Sequence, residues 1–69
     1  SDRLPEQDIG LLSQATIGTD VFNDKLYKAC HGNARRLNKL LRGVNRLSKL
    51  NNRPIDDAMI NKFTQMLID

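Results

Sequence analysis

The sequence has one cysteine, few aromatic residues and no tryptophan. An internal disulfide is therefore excluded, and Cys30 with the single His31 supplies too few ligands for a metal site. We expect a cytoplasmic protein, because small folds in reducing compartments are not held together by disulfides. The aromatic side chains, Phe22, Tyr27 and Phe63, are too few to fill a core, so the core should be aliphatic.

Membrane, secretion and enzyme signatures are also missing. No apolar run approaches the roughly 20 residues that cross a bilayer, so we expect no membrane partner. Residues 1–6 contain no apolar segment typical of a signal peptide, and Ser1 in place of methionine is expected of a fragment cut from a longer chain. The motifs of P-loop, dinucleotide, zinc-protease and C-x-x-C sites are absent. We therefore expect no enzymatic activity from this chain on its own.

The composition is that of one small folded domain. The chain has 69 residues, of which 39% are hydrophobic and 28% charged, with a net charge of +3. Apolar residues recur with helical spacing throughout, and no stretch alternates as a strand does. Four helices are predicted, over residues 5–15, 19–31, 33–51 and from 56 onward. The fold class is therefore all-α, a small four-helix bundle-like domain over residues 1–69.

The predicted helix ends rest on capping residues. Thr19 and Asp20 are acceptable N-caps for the second helix, Asn33 for the third and Asp56 for the fourth. Gly32 can adopt the left-handed conformation that ends the second helix. Ile55 is expected to pack on Ile60 across the fourth cap. The predicted core residues are Ile9, Leu11, Leu12, Ala15, Phe22, Leu26, Ala29, Cys30, Leu37, Leu40, Leu41, Val44, Leu47, Leu50, Met59, Ile60, Phe63, Met66 and Leu67.

Positive charge is concentrated in the third helix. Seven of the eleven basic residues fall within residues 35–53, a segment that contains no acidic residue. At about 100° per residue, six of these bases lie within roughly 40° of one line, opposite the leucines. They are Arg35, Lys39, Arg42, Arg46, Lys49 and Arg53.

Such a row has two interpretations. A solvated helix face is the ordinary one, but like charges at i, i+4 repel, and a solvated face normally mixes signs. Six aligned bases therefore favour an anionic neighbour: nucleic-acid phosphate, nucleotide phosphate or an acidic protein surface. Without interleaved aromatic residues, stacking on single-stranded bases is disfavoured, and phosphate contact without sequence reading fits better.

The junction before the third helix carries a family resemblance. It reads Gly32-Asn33-Ala34-Arg35, followed by Leu37-Asn38, and G-x-x-R at the start of a leucine-rich helix resembles the sensor 2 region of AAA+ ATPase lid domains. The resemblance implies that Arg35, at a junction turned by Gly32, reaches the γ-phosphate of bound nucleotide. A guanidinium on a first helical turn is physically suited to this, because its planar fork matches phosphate oxygens. Arg36 is the neighbouring candidate for the same role.

Within that family, residues 20–69 most resemble the DNA-transposition ATPases of the phage Mu transposition protein B type and related secretion-type ATPases. The similar elements are the G-x-x-R junction, the long helix, a short polar turn and Ile55-Asp56-Asp57. The resemblance implies a C-terminal lid excised from a larger, homo-oligomeric ATPase. It also implies ATP and Mg²⁺ as cofactors of that parent, and as partners DNA, the AAA+ core of the same chain and a transposase.

Other functions remain open at this point. The chain could be an autonomous small helical protein that binds DNA without sequence preference. It could instead be a docking module whose basic helix meets an acidic protein. A helix-turn-helix ranks below these, because only Asn33 and Asn38 could read bases from the start of the third helix.

Overall fold

The computed structural model describes residues 3–67 and contains four α-helices in that range. The all-α, four-helix prediction is confirmed. Ser1, Asp2, Ile68 and Asp69 lie outside the described residues. The prediction of a fragment, which was based on Ser1, therefore concerns a residue outside the described range. The helices are α1 Glu6–Ile17, α2 Asn23–Cys30, α3 Ala34–Asn51 and α4 Asp57–Met66.

Helix α1 begins after a proline and ends at a glycine. Pro5 is extended (φ −62°, ψ 144°) and forms the N-cap, so it lies just outside the first turn. Gly18 is left-handed (φ 75°), and its N–H donates to the carbonyl of Gln14 at 3.0 Å. The helix therefore runs two residues past the predicted Ala15.

Helix α2 begins later than its predicted caps. The hydroxyl oxygen of Thr19 accepts from the N–H of Val21, and the carbonyl of Asp20 accepts from the N–H of Asn23. These bonds form a turn before the helix, so Thr19 and Asp20 were the wrong caps, and Phe22 is the N-cap without a side-chain bond. Polar side chains at a chain reversal stabilise turns as readily as helix starts.

The predicted caps of α3 and α4 are confirmed. The side-chain oxygen of Asn33 accepts from the N–H of Arg36 at 2.9 Å. The carboxylate of Asp56 accepts from the N–H of Met59 at 2.9 Å. Each bond satisfies one of the backbone donors that a helix start leaves without a partner.

Helix α3 ends at Asn51 because the next residue turns left-handed. Asn52 has φ 52°, and its N–H donates to the carbonyl of Lys49 at 3.2 Å. The N–H of Arg53 then donates to the carbonyl of Ser48 at 3.0 Å. Arg53 therefore lies beyond the helix, and its predicted place at the end of the basic row is wrong.

Helix α3 is the centre of the fold and packs against each of the other three helices. Its buried leucines and valine meet one or more buried side chains from every other helix, and Ile55 and Phe63 pack against the edge of this core. Among the described residues Ser13 is the one buried polar side chain, and its hydroxyl donates to the carbonyl of Thr19 at 2.6 Å. The core consists of Ile9, Leu26, Cys30, Leu37, Leu40, Leu41, Val44 and Ile60.

Four predicted core residues are exposed instead. Leu11 and Leu50 are each 71% exposed, Met66 is 61% exposed, and Ala15 is also exposed. Leu50 lies only about 60° from the line of bases on the helix wheel, whereas the buried residues of α3 lie at least about 120° away. The apolar stripe of α3 therefore drifts toward the basic side at its C-terminal end.

Candidate nucleic-acid interface

Five of the six predicted bases form one exposed row on α3, which we call the basic face. All five side chains are exposed, and α3 contains no acidic residue. Because the opposite side of α3 is held in the core by Leu37, Leu41 and Val44, the row is fixed toward the exterior. The basic face consists of Arg35, Lys39, Arg42, Arg46 and Lys49.

Gly32 builds the junction from which this face starts. It is buried with φ 72°, and the preceding His31 is also left-handed at φ 54°. Two successive left-handed residues reverse the chain between α2 and α3. The carbonyl of Gly32 accepts from the N–H of Leu4 at 2.8 Å, and a Cβ on Gly32 would meet the Nε of Arg3 at 3.0 Å. Gly32 is thus used in the turn itself, a position suited to orienting Arg35 rather than to touching a ligand.

The two adjacent arginines have different surroundings. The Nε of Arg36 donates to the carbonyl of Ala29 at 2.7 Å, and the side chain is half-buried against α2. Arg35 is exposed on the first turn of α3. Both line a groove at the α2–α3 junction together with Lys39 and His31. The geometry therefore gives Arg36 a packing role and leaves Arg35 as the arginine better placed for an outside phosphate.

The last two predicted binding residues, Lys49 and Arg53, have different surroundings at the C-terminal end of α3. Lys49 lies in the last turn of α3, where a positive charge also suits the helix dipole. Arg53, beyond the helix, lines a groove with Asp56 and Lys62. A carboxylate in the same groove reduces the positive potential there, so Arg53 is less suited to an anion than the basic face is.

A third groove lies between α3 and α4 and borders the basic face; we call it the α3–α4 groove. Lys39, Arg42 and Arg46 line it from α3, and Lys62 lines it from α4. Lys62 was not predicted as a binding residue, although the apolar spacing of α4 indicates that its side chain is exposed. The other lining residues are Gly43, Leu47, Leu50, Phe63, Met66 and Leu67.

Comparison of the chain with protein-family models, curated proteins and solved structures finds no match. Within residues 3–67, no three or more His, Cys, Asp or Glu side chains are grouped as a metal site. None of the helices in this range has the length and hydrophobicity to cross a membrane.

Proposed function

We propose that the chain binds duplex DNA through the basic face of α3, contacting phosphates without reading base sequence. We propose further that it does so as the helical lid domain of an AAA+ ATPase of DNA transposition or related DNA handling. The observation that supports DNA binding is the exposed row of five bases on a helix that contains no acid.

The dimensions of the basic face suit a phosphate backbone. From Arg35 to Lys49 the helix rises about 21 Å, at 1.5 Å per residue. A duplex carries one phosphate of each strand for roughly every 3.4 Å of its axis, or about six over that length. Five cations on about 21 Å of helix thus approach the charge that one strand carries over the same length of duplex axis.

The face is poor in groups that read bases. It contains no aromatic residue for stacking, and arginine and lysine contact phosphates of any sequence equally. Asn38 and Asn45 lie on one flank, where each is a single amide and not a set of readers. Binding should therefore depend on ionic strength far more than on sequence.

Salt dependence of duplex binding tests this proposal. We expect a fluorescein-labelled 20-base-pair duplex of mixed sequence to bind with a log Kd that rises linearly with log salt. Replacing two phosphate contacts in Arg42→Gln/Arg46→Gln should lower that slope by about 1.8, at roughly 0.9 per contact. Fluorescence polarisation across several salt concentrations measures both quantities.

A charge-matched control separates the basic face from net charge. Lys25→Gln/Lys28→Gln removes two cations from α2, leaving the same net charge as the test variant. It should keep the slope of the unmodified chain. Equal slopes in the two variants, or no duplex binding at low salt, would contradict binding through the basic face.

Arg35 is the proposed nucleotide-sensing residue of the lid. Its support is its exposure on the first turn of α3 while Arg36 is held against α2. In a full-length protein with an upstream P-loop, Arg35→Ala should lower ATP hydrolysis by about tenfold or more, the range expected for loss of a charged hydrogen bond of about 1.5–3 kcal/mol. Arg36→Ala is the matched comparison, and its effect should appear in thermal stability instead.

The second candidate, an autonomous DNA-binding protein, makes a different prediction. The same basic face would bind DNA, but Arg35 would be one phosphate contact among five. A coding sequence with no P-loop motif upstream of residue 1 would exclude the lid proposal and favour this candidate. An upstream P-loop would favour the lid.

A further inference from the structure

The α3–α4 groove combines an apolar lining with a positive rim. Leu50 of α3 and Met66 of α4 both line it and are 71% and 61% exposed. Leu47 and Phe63 add apolar lining, and Phe63 also packs against the core. Neighbouring exposed apolar side chains that line a concavity mark a binding surface more often than isolated ones do.

Gly43 lets the ring of Phe63 lie close to α3. A Cβ at this position would overlap the ring of Phe63, so the ring lies directly against the backbone of α3. Any other residue at position 43 would push Phe63 outward and raise the floor. The concave shape therefore depends on this glycine.

The rim of the groove is positive on both sides. Lys39, Arg42 and Arg46 stand on the α3 side, and Lys62 stands on the α4 side. Among the described residues that line the groove there is no carboxylate. An occupant must therefore offer apolar side chains to the floor and negative charge to both edges.

We propose that this groove binds an acidic amphipathic helix of a partner protein. From Lys39 to Leu50 the α3 wall is about 16 Å long, which equals roughly eleven residues of a helix lying beside it. A helix of that length presents apolar residues at i, i+3, i+4 and i+7 in one stripe, with acidic residues on either side. This proposal does not rest on DNA binding, although the groove shares Lys39, Arg42 and Arg46 with the basic face.

Other occupants fit the groove less well. A second copy of the chain would bring two positive rims together, and like charges at an interface oppose association. Duplex DNA offers phosphates but no protruding apolar group for Leu50 or Met66. A lipid surface is flat on this scale and would leave the recessed ring of Phe63 uncovered.

Fluorescence polarisation with a designed probe tests the proposal. The probe is an eighteen-residue fluorescein-labelled helical peptide with a leucine stripe flanked by glutamates. Two comparison peptides keep the leucines but carry lysine or glutamine in place of glutamate. We expect the glutamate peptide to bind at least tenfold more tightly than the glutamine peptide, and the lysine peptide not to bind.

Neutral substitutions locate the binding surface without changing charge. Leu50→Ser/Met66→Ser removes exposed apolar surface from the groove and should weaken peptide binding at least tenfold. Leu11→Ser/Val21→Ser removes similarly exposed side chains, 71% and 74%, and should leave binding unchanged. In a separate test that does change charge, Lys62→Gln should weaken binding by severalfold, although this residue lies outside the basic face. Circular dichroism melts establish that every variant is folded.

Several results would overturn the proposal. Equal binding of the glutamate peptide to the groove variant and to the Leu11/Val21 control would place the peptide elsewhere. Sedimentation showing a dimer that Leu50→Ser/Met66→Ser abolishes would assign the groove to a second copy. Binding to phosphatidylglycerol vesicles that the same variant loses would assign it to lipid. Duplex binding by the groove variant should persist, so failure of this proposal is distinguishable from failure of DNA binding.

Discussion

Asp56 shows what one side chain contributes at a helix start. Its carboxylate accepts from the N–H of Met59 at 2.9 Å and so satisfies a donor at the start of α4. Asp57, the next residue, is exposed in the first turn and makes no such cap. Two adjacent aspartates thus differ in role, because only the first has the extended backbone of an N-cap.

We therefore expect Asp56→Ala to destabilise the fold by about 1 kcal/mol, the typical cost of losing an N-cap. Asp57→Ala should cost no more than about 0.5 kcal/mol, because only an interaction with the helix dipole is lost. Urea unfolding of both variants measures the difference. Equal losses in the two would show that the Asp56 hydrogen bond is not what stabilises this helix start.

Gly43 is the residue at which a usually favourable substitution should fail. In an exposed helix, replacing glycine by alanine gains about 1 kcal/mol. Here the added Cβ would overlap the ring of Phe63, and overpacking costs typically 1–3 kcal/mol. We expect Gly43→Ala to be neutral or destabilising by up to about 2 kcal/mol in chemical denaturation.

A smaller side chain at position 63 provides the control for that prediction. With Phe63→Leu in the background, Gly43→Ala should be less destabilising than in the unmodified chain, because a shorter side chain can move aside. A double-mutant cycle measures this coupling. Additive effects would mean that the ring and the glycine do not constrain one another.

Among the elements, the sequence predicted α3 and α4 better than α2. Asn33 and Asp56 were recognisable as caps because each is a polar residue directly before an apolar helical pattern. At the start of α2, Thr19 and Asp20 offered the same residue types, but their oxygens accept bonds of a turn. Local chemistry does not distinguish these two uses, and packing of Phe22 against the core decides between them.

The basic face on α3 was predictable from the sequence, but the α3–α4 groove was not. Helical periodicity places Arg35 to Lys49 on one exposed face, because a single helix determines their arrangement. The α3–α4 groove depends on how two helices pack, and neither Lys62 nor the Gly43–Phe63 contact follows from spacing within one helix. The predicted helix end at residue 51 is confirmed, and Arg53 was misplaced because the helical wheel was extended past that end.

The alignment of like charges on α3 makes this element sensitive to salt. Arg35 and Lys39, and again Arg42 and Arg46, are spaced i, i+4 and repel by a few tenths of a kcal/mol each. Added salt screens that repulsion. We expect the Tm to rise by about 2–6 °C between roughly 10 and 150 mM sodium chloride, since 1 kcal/mol corresponds to about 4–8 °C in a domain of this size.

The variants that test DNA binding also test this expectation. Arg42→Gln/Arg46→Gln should melt at a higher temperature in low salt and respond less to added salt. Lys25→Gln/Lys28→Gln should keep the full response. A Tm that falls with salt in the unmodified chain would show that attractive charge pairs outweigh the repulsion along α3.

At the scale of the whole molecule, a small aliphatic core supports two neighbouring surfaces, the basic face and the α3–α4 groove. The same helix, α3, supplies four of the eight core side chains on one side and the basic face on the other. Its drifting apolar stripe leaves Leu50 at the boundary between them. Because the α3–α4 groove and the basic face share Lys39, Arg42 and Arg46, bound DNA and a bound acidic helix should compete for the same cations.

Within residues 3–67, one backbone hydrogen bond joins the segment before α1 to the turn between α2 and α3, from the N–H of Leu4 to the carbonyl of Gly32. That amide can exchange its hydrogen with solvent only when the two segments part. The exchange rate of the Leu4 amide hydrogen therefore measures how often the turn before Arg35 opens, although Leu4 is remote from that turn in sequence. A phosphate ligand that immobilised the turn would slow exchange at Leu4 without touching it.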